Sequence, residues 1–427
     1  GAVGRLWTAG VETDAGRFWA GQRRRRTSLP TYPFDRRRYS YDSVEAAPAP
    51  EPGTAGDGAG AARTDEPREG TEAAVAAAWE ALLGVGGIGR HDDVFDLGGS
   101  SLAGVGLASK LGAEFEVELP GSFLLEAATV AEQAAMIDRR RAGEAEEPAT
   151  CLIRLQRGTA GQRPLFMVHQ VGGHVFTFRA LGKELGAGQP LFGLRSRGLE
   201  AGEEPAVTLG EMAEHYLGLM RAEQPRGPYL LGGASMGGMV AWEMARRLHE
   251  NGDEIALLAL MDAPCGDQMP PREENAEPVS FILGERSGVR LDGAALRDLP
   301  FDERWETALG RLREEGTEPE QFDLAEARRQ ARVLEANVAA LYAYEPAPLP
   351  IPLLFFRAVE RRSYDPPRPE LPWIELARGG CETVIVDGDH ESMHEPANVA
   401  GMARVLASRL ALATDDRVRR VLARGGA

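Results

Sequence analysis

Cysteine is scarce in this chain: Cys151, Cys265 and Cys381 are its only three among 427 residues. So few thiols, odd in number and far apart, argue against a disulfide framework and against a zinc site, so no metal is expected. They suit a reducing, cytoplasmic setting. Long hydrophobic runs are missing as well. No stretch approaches the ~18 apolar residues of a membrane span, and no membrane association is expected. The first ten residues lack the charged start, apolar stretch and cleavage site of a secretory leader. Gly1 stands where an initiator Met would, as expected of a piece of a longer polypeptide. Positive charge is also short, with 48 Lys and Arg against 65 Asp and Glu and a net charge of −17, which disfavours a nucleic-acid partner. The basic runs Arg23 to Arg26 and Arg36 to Arg38 sit among Pro and aromatic residues and read as a solvated or docking strip.

What is present divides the chain by composition. Residues 1–42 are rich in Arg and aromatics, and residues 43–70 are almost entirely Ala, Pro, Gly and charge. The second stretch cannot bury enough apolar surface to offset its ordering entropy and reads as a flexible tether. Residues 71–142 carry helical periodicity. Val75, Trp79, Leu82 and Leu83 follow Thr71, a candidate N-cap. Leu102, Val105 and Leu111 follow Ser100 and Ser101, and Thr129 to Glu132 form a capping-box pattern opening a last helix. A small helical bundle is expected there. From 150 to 412 apolar runs at 165–169, 190–194, 229–231, 255–261, 353–356 and 383–386 alternate with amphipathic stretches such as 208–222 and 238–250. That alternation predicts a mostly parallel sheet with helices on both faces. A charged helical insertion at 268–345 is too long for a plain loop and reads as a lid, and 413–427 as a tail.

The chemistry centres on Gly233-Ala234-Ser235-Met236-Gly237, which fits G-x-S-x-G, the sharp strand-to-helix turn that exposes a serine hydroxyl. An apolar strand runs into it and a helix with Met239, Val240, Trp242 and Met244 runs out. The turn predicts an acid and then a histidine further along the chain. Asp262 follows the next strand and His390 follows the last one, both at strand C-terminal ends, where ligands gather in open sheets. His390 would be the general base and Asp262 its orienting carboxylate. Glu360 is the replacement acid should Asp262 be only a surface carboxylate, and His394 is a rival histidine. Met236 N–H is expected to donate to the oxyanion, joined by Val171 N–H from the loop His169-Gln170-Val171-Gly172-Gly173. His169 and His174 read as structural or pocket-lining, His91, His215 and His249 as surface residues, and Cys265 as incidental. Together these features predict an α/β-hydrolase with a helical lid.

Asp92-Asp93-Val94-Phe95-Asp96-Leu97-Gly98-Gly99-Ser100-Ser101-Leu102 resembles the carrier-protein signature D-x-F-F-x-L-G-G-x-S-L, with Ser100 where Asp or His is commoner. The resemblance implies that Ser101 bears 4′-phosphopantetheine, a covalent cofactor installed by a phosphopantetheinyl transferase. A helix start after a Gly-Gly turn suits a phosphodiester. The 150–412 segment resembles the type I thioesterases of modular synthases. Leu29-Pro30-Thr31-Tyr32-Pro33-Phe34 and the Arg36–Tyr39 run after it resemble the linker behind an acyltransferase domain. The whole therefore resembles the C-terminal part of a modular polyketide synthase, or of a hybrid with nonribosomal peptide synthetase. That implies upstream ketosynthase and acyltransferase partners and release of an acyl chain through acyl-Ser235, by hydrolysis or ring closure. No Leu-rich helical pair precedes the first strand, so the domain resembles the monomeric peptide-synthetase type. The rivals are a proofreading acyl hydrolase and a non-catalytic carrier scaffold. A terminal reductase would need a dinucleotide fingerprint that the chain lacks.

Overall fold

The computed structural model describes residues 65–94, 97, 101–119, 123–144, 150–269, 277–317, 323–362 and 365–414. The expected linker remnant, most of the tether and all but the first two residues of the tail lie outside them.

Four helices make the first body: α1 (Thr71–Leu83), α2 (Ser101–Phe115), α3 (Phe123–Glu126) and α4 (Val130–Arg141). Val75, Trp79, Leu111, Phe123 and Ile137 are fully buried between them. Such a small bundle has little apolar area to bury, so its interior polar groups must be paired. Trp79 Nε1 donates to Gln133 Oε1 at 2.8 Å, and Gln133 Nε2 donates to the Ala127 carbonyl at 3.1 Å. The capping box at Thr129 and Glu132 forms as read from the sequence. The expected Thr71 cap does not. Gly70, at φ +95°, is the N-cap residue, and the Thr71 hydroxyl donates to Asp138 on α4 at 2.6 Å instead. A bond between helices has displaced the local one. Leu82, one of the apolar residues recurring at helical spacing, is 44% exposed. The last residues of the expected tether are tied to the carrier, the Asp65 carbonyl accepting from Arg90 N–H at 2.9 Å.

The second body is built on a seven-stranded sheet: β1 (Leu152–Gln156), β2 (Leu165–Val168), β3 (Leu191–Leu194), β4 (Tyr229–Ala234), β5 (Ile255–Met261), β6 (Leu353–Ala358) and β7 (Cys381–Val386). Its order is β1-β3-β2-β4-β5-β6-β7, parallel except for β1. Alternating strand residues serve opposite faces. Phe166, Val168, Tyr229 and Leu231 pack under α6 (Leu209–Glu223) and α7 (Met236–Glu250). Leu165, Met167 and Leu230 pack under α5 (Arg179–Leu185) and α13 (Val399–Thr414). A parallel sheet covered on both faces, with the nucleophile turn after β4, is the α/β-hydrolase fold. The chain leaves β2 toward β3 on one side and returns to β4 on the other, so the crevice at the ends of β2 and β4 is a switch point where open sheets hold ligands.

Between β5 and β6 the described residues of the insertion form four α-helices: α8 (Pro278–Ser287), α9 (Gly293–Arg297), α10 (Phe301–Glu314) and α11 (Leu324–Tyr342). Val279, Leu283, Trp305, Ala308, Leu312 and Ala327 give them a core of their own. Between β6 and β7 lies α12 (Leu371–Leu376). Among the described residues no helix is long and apolar enough to cross a membrane.

Candidate active site

Ser235 sits at the turn from β4 into α7 with φ +53° and ψ −126°, a region that non-glycine residues rarely occupy. Such strain persists only where the surroundings hold it. Here Ser235 N–H donates to the Met261 carbonyl at 2.9 Å, and the Ser235 carbonyl accepts from Gly238 N–H at 3.0 Å. The turn lifts the hydroxyl off the sheet edge. His390 Nε2 lies 3.0 Å from Ser235 Oγ, and His390 Nδ1 lies 2.8 Å from Asp262 Oδ2. With the Nδ1 proton given to Asp262, Nε2 accepts the serine proton.

Asp262 is only 1% exposed and also holds a positive φ, +46°. Its Oδ1 accepts from Ala358 N–H at 3.1 Å, and Arg361 Nη1 reaches Oδ1 at 2.7 Å and Oδ2 at 2.8 Å. Burial pushes its acidity down, but the bonds and charge of His390 and Arg361 outweigh burial and hold its pKa below the usual value. Next in the chain, Arg362 Nε donates to Asp389 Oδ2 at 2.9 Å, beside His390. One loop after β6 thus grips both the acid and the histidine loop. Neither arginine was singled out in the sequence. Glu360, the alternative acid, is exposed and bonds the histidine loop only through its backbone, N–H to the Gly388 carbonyl at 3.0 Å. The nearer Asp262 leaves it no position on His390.

Met236 opens α7, so its N–H has no acceptor within the helix. Val171 lies in the loop after β2, the strand beside β4. That loop is held from two sides. Asn337 of α11, fully buried, donates Nδ2 to the Val171 carbonyl at 2.8 Å. Tyr216 lies 2.8 Å from His169 Nε2, and His169 Nδ1 donates to the Gln170 carbonyl at 2.6 Å. Burial pushes the His169 pKa down to about 4, against the opposing bond to Gln170, so the ring stays neutral. Asn337 and Tyr216 carry no motif and escaped the sequence reading. His215, read as a surface residue, is half-buried, and burial lowers its pKa.

His394 is brought near the triad without joining it. It is 4% exposed, edge-on to Phe178 with ring centroids 6.2 Å apart, and neither ring nitrogen has a hydrogen-bond partner. Burial, with the neighbouring His390 charge, pushes its pKa down to about 3. Both buried histidines are neutral when folded and near pKa 6.5 when unfolded. Below pH 6.5 the unfolded chain therefore binds more protons, and stability falls toward pH 4. Between pH 7.5 and 5, His394→Phe should lose roughly 2 kcal/mol less stability than the parent in urea unfolding. Parallel losses in the two proteins would assign the acid sensitivity to other groups.

A serine hydroxyl, a histidine held on a buried carboxylate, and backbone donors at a sheet edge are the parts for acyl transfer. For the other candidate residue, the backbone of the 15-residue helix α2 begins at Ser101, with no acidic residue in its first turn. A phosphodiester fits a serine there, because the first N–H groups of a helix are unpaired and favour negative charge.

The phosphopantetheine attachment site family matches residues 73–137, and the thioesterase domain family matches residues 163–410. A dimodular nonribosomal peptide synthase of Bacillus subtilis (strain 168) is 32% identical over 368 residues, 86% of this chain and 15% of that protein. Indigoidine synthase of Streptomyces lavendulae is 36% identical over 211 residues, 49% of this chain and 16% of that protein. The chain is thus similar to about one sixth of each relative's length. A crystal structure of a holo four-domain nonribosomal peptide synthetase superposes with a TM-score of 0.54 at 29% identity, covering 82% of this chain and 27% of that one. The Bacillus relative and the solved structure are nonribosomal peptide synthetases rather than polyketide synthases, while the expected pairing of carrier and thioesterase stands. Because the second family match spans more than half of the chain, the protein belongs to the thioesterase domain family, with a phosphopantetheine attachment domain joined ahead of it.

Proposed function

We propose that this chain releases a finished peptidyl chain from a carrier-bound thioester, within a nonribosomal peptide synthetase. Its carrier would span 71–142 and its thioesterase 150–412. The observation that carries the reading is the unbroken line of hydrogen bonds from Ser235 through His390 to Asp262, supported behind by Arg361.

Ser101 would hold the phosphopantetheine as a phosphodiester, and that arm supplies the thiol on which the acyl group rides as a thioester. In the first half-reaction Ser235 Oγ bonds to the thioester carbonyl carbon as His390 Nε2 takes its proton. Met236 and Val171 N–H groups would receive the charge on the carbonyl oxygen. The C–S bond then breaks, and His390 returns the proton to the leaving thiol. In the second half, water or an internal hydroxyl or amine of the chain attacks the Ser235 ester with His390 again as base, giving an acid or a ring. Two lower barriers replace one. Joining carrier to thioesterase raises the effective substrate concentration to about millimolar. A phosphopantetheinyl transferase and upstream peptide-synthetase modules are the partners.

The test is intact-protein mass spectrometry after loading by a phosphopantetheinyl transferase with an acyl-coenzyme A analogue. Ser101→Ala should gain no arm, and Ser235→Ala should load and then keep its acyl group. If Ser235→Ala discharges at the parent rate, the triad is not the release site and the carrier-scaffold reading replaces this one. Clearance of short stray acyl groups in preference to peptidyl ones would favour the proofreading reading.

A further inference from the structure

Among the described residues, Arg179 and Phe176 of the thioesterase meet the carrier. Arg179, the first residue of α5, donates Nη2 to Asp93 Oδ2. Phe176, in the short turn before α5, is half-buried against the carrier core while also packing on the core beneath the sheet. The carrier core is built from carrier residues, Val75, Trp79, Leu111, Phe123 and Ile137 among them, and Phe176 joins it only as a partly buried neighbour. Loss of the contact would therefore leave both bodies folded. What it sets is where one lies against the other.

Both ends of the contact adjoin a candidate functional site. Asp93 is fixed by pairing with Thr129, the capping residue of α4, and stands eight residues before Ser101 in the sequence. On the other side, Phe176 follows Val171 of the oxyanion loop by five residues, and Phe178 of the same turn packs against His394 in the histidine loop. The turn thus has the carrier on one side and the triad's own loops on the other. The Arg179 and Asp93 side chains are 19% and 28% exposed, so their attraction is only partly screened by water. A partly exposed ion pair and a half-buried aromatic can separate at little cost, as suits a carrier that must also leave.

We propose that Phe176 and Arg179 form the thioesterase's docking surface for the carrier, with Asp93 as the charge that the surface recognises. The proposal rests on the release function above and names the surface that delivers the substrate to it.

Three full-length variants test it: Arg179→Asp, Asp93→Arg and the double reversal. The first readout needs no cofactor. In the unloaded protein, amide hydrogen exchange over 174–180 should quicken in each single variant and slow again in the double. The second is the discharge rate of an acyl group loaded on the carrier, expected to fall about tenfold in each single variant and to recover in the double. The control is hydrolysis of a small soluble acyl thioester, which should match the parent in all three. Unchanged exchange or unchanged discharge in the single variants overturns the docking surface, as does a loss that the double fails to restore. Loss of small-thioester hydrolysis in the single variants overturns it too, since Arg179 would then act within the thioesterase. A parent chain that hydrolyses no small thioester counts against the release function instead, and the exchange readout then decides the docking surface by itself.

Discussion

Ser235→Ala is expected to slow acyl transfer on the order of 10⁶-fold, and Asp262→Asn about 10⁴-fold, when single turnovers of a small acyl thioester are followed. The two losses differ in kind. Removing Ser235 Oγ removes the atom that would form the acyl-enzyme. Asp262→Asn leaves every heavy atom in place but offers an amide N–H or a neutral oxygen to His390 Nδ1, which favours the wrong tautomer and leaves the imidazolium unsupported. The substitution also strands Arg361, whose Nη1 bonds both Asp262 oxygens and whose side chain is 17% exposed. Removing one partner of so buried a pair costs about 3 kcal/mol of stability. A loss of rate could then be mistaken for a loss of fold. Asp262→Asn/Arg361→Met separates them: with the stranded charge gone, urea unfolding should recover most of the lost stability while the rate stays down about 10⁴-fold. If the double variant regained the rate as well, Asp262 would matter only as a counter-charge and the catalytic assignment would fail.

The parts of the site that were legible in the sequence are those fixed by local geometry and chain order. The glycines around Ser235, a strand before it and a helix after it identify the turn. Once β4 and β5 are adjacent and parallel, an acid closing β5 must emerge beside Ser235, and the Ser235 N–H bond to the Met261 carbonyl makes that literal. The rest depends on contacts between distant residues. Arg361 and Asp262 are 99 positions apart, and Asn337 reaches Val171 across 166. No spacing rule reports either pair. β1 was missed because it is the antiparallel edge strand, with only Ile153 fully shielded and no steady alternation around it. Thr71 was misread as a cap because local preference favoured it, whereas Asp138 on another helix competed for its hydroxyl. The kind of acyl chain was not legible either. Carrier signature and serine turn answer only to a thioester and its release, which peptide and polyketide assembly share.

Gly237→Ala should abolish the folded thioesterase, although it adds a single methyl group to a helix. A Cβ at that position would lie 2.3 Å from the carbonyl oxygens of both Val168 and His169, and one at Gly233 would lie 2.1 Å from the Gly237 carbonyl oxygen. All of these neighbours are backbone, so no side chain can swing away to make room. The first turn of α7 is seated directly on the end of β2, and that seating brings Ser235 beside the loop that carries Val171. Relief would require α7 to lift off the sheet, which would undo the packing of Met239, Val240 and Trp242, each at most 1% exposed. A cost above ~4 kcal/mol, near the whole margin of an ordinary domain, is expected, read as loss of soluble protein or of the urea transition. Gly218→Ala is the control. It lies on α6 with nothing within 4 Å of an added Cβ, and should gain about 0.5–1 kcal/mol from helix propensity. Should Gly237→Ala unfold at the parent's urea concentration, the second glycine of G-x-S-x-G would not be demanded by this close approach. The two glycines would then serve only the strained φ of Ser235, and the seating of α7 on β2 could no longer explain why nucleophile and oxyanion loop lie side by side.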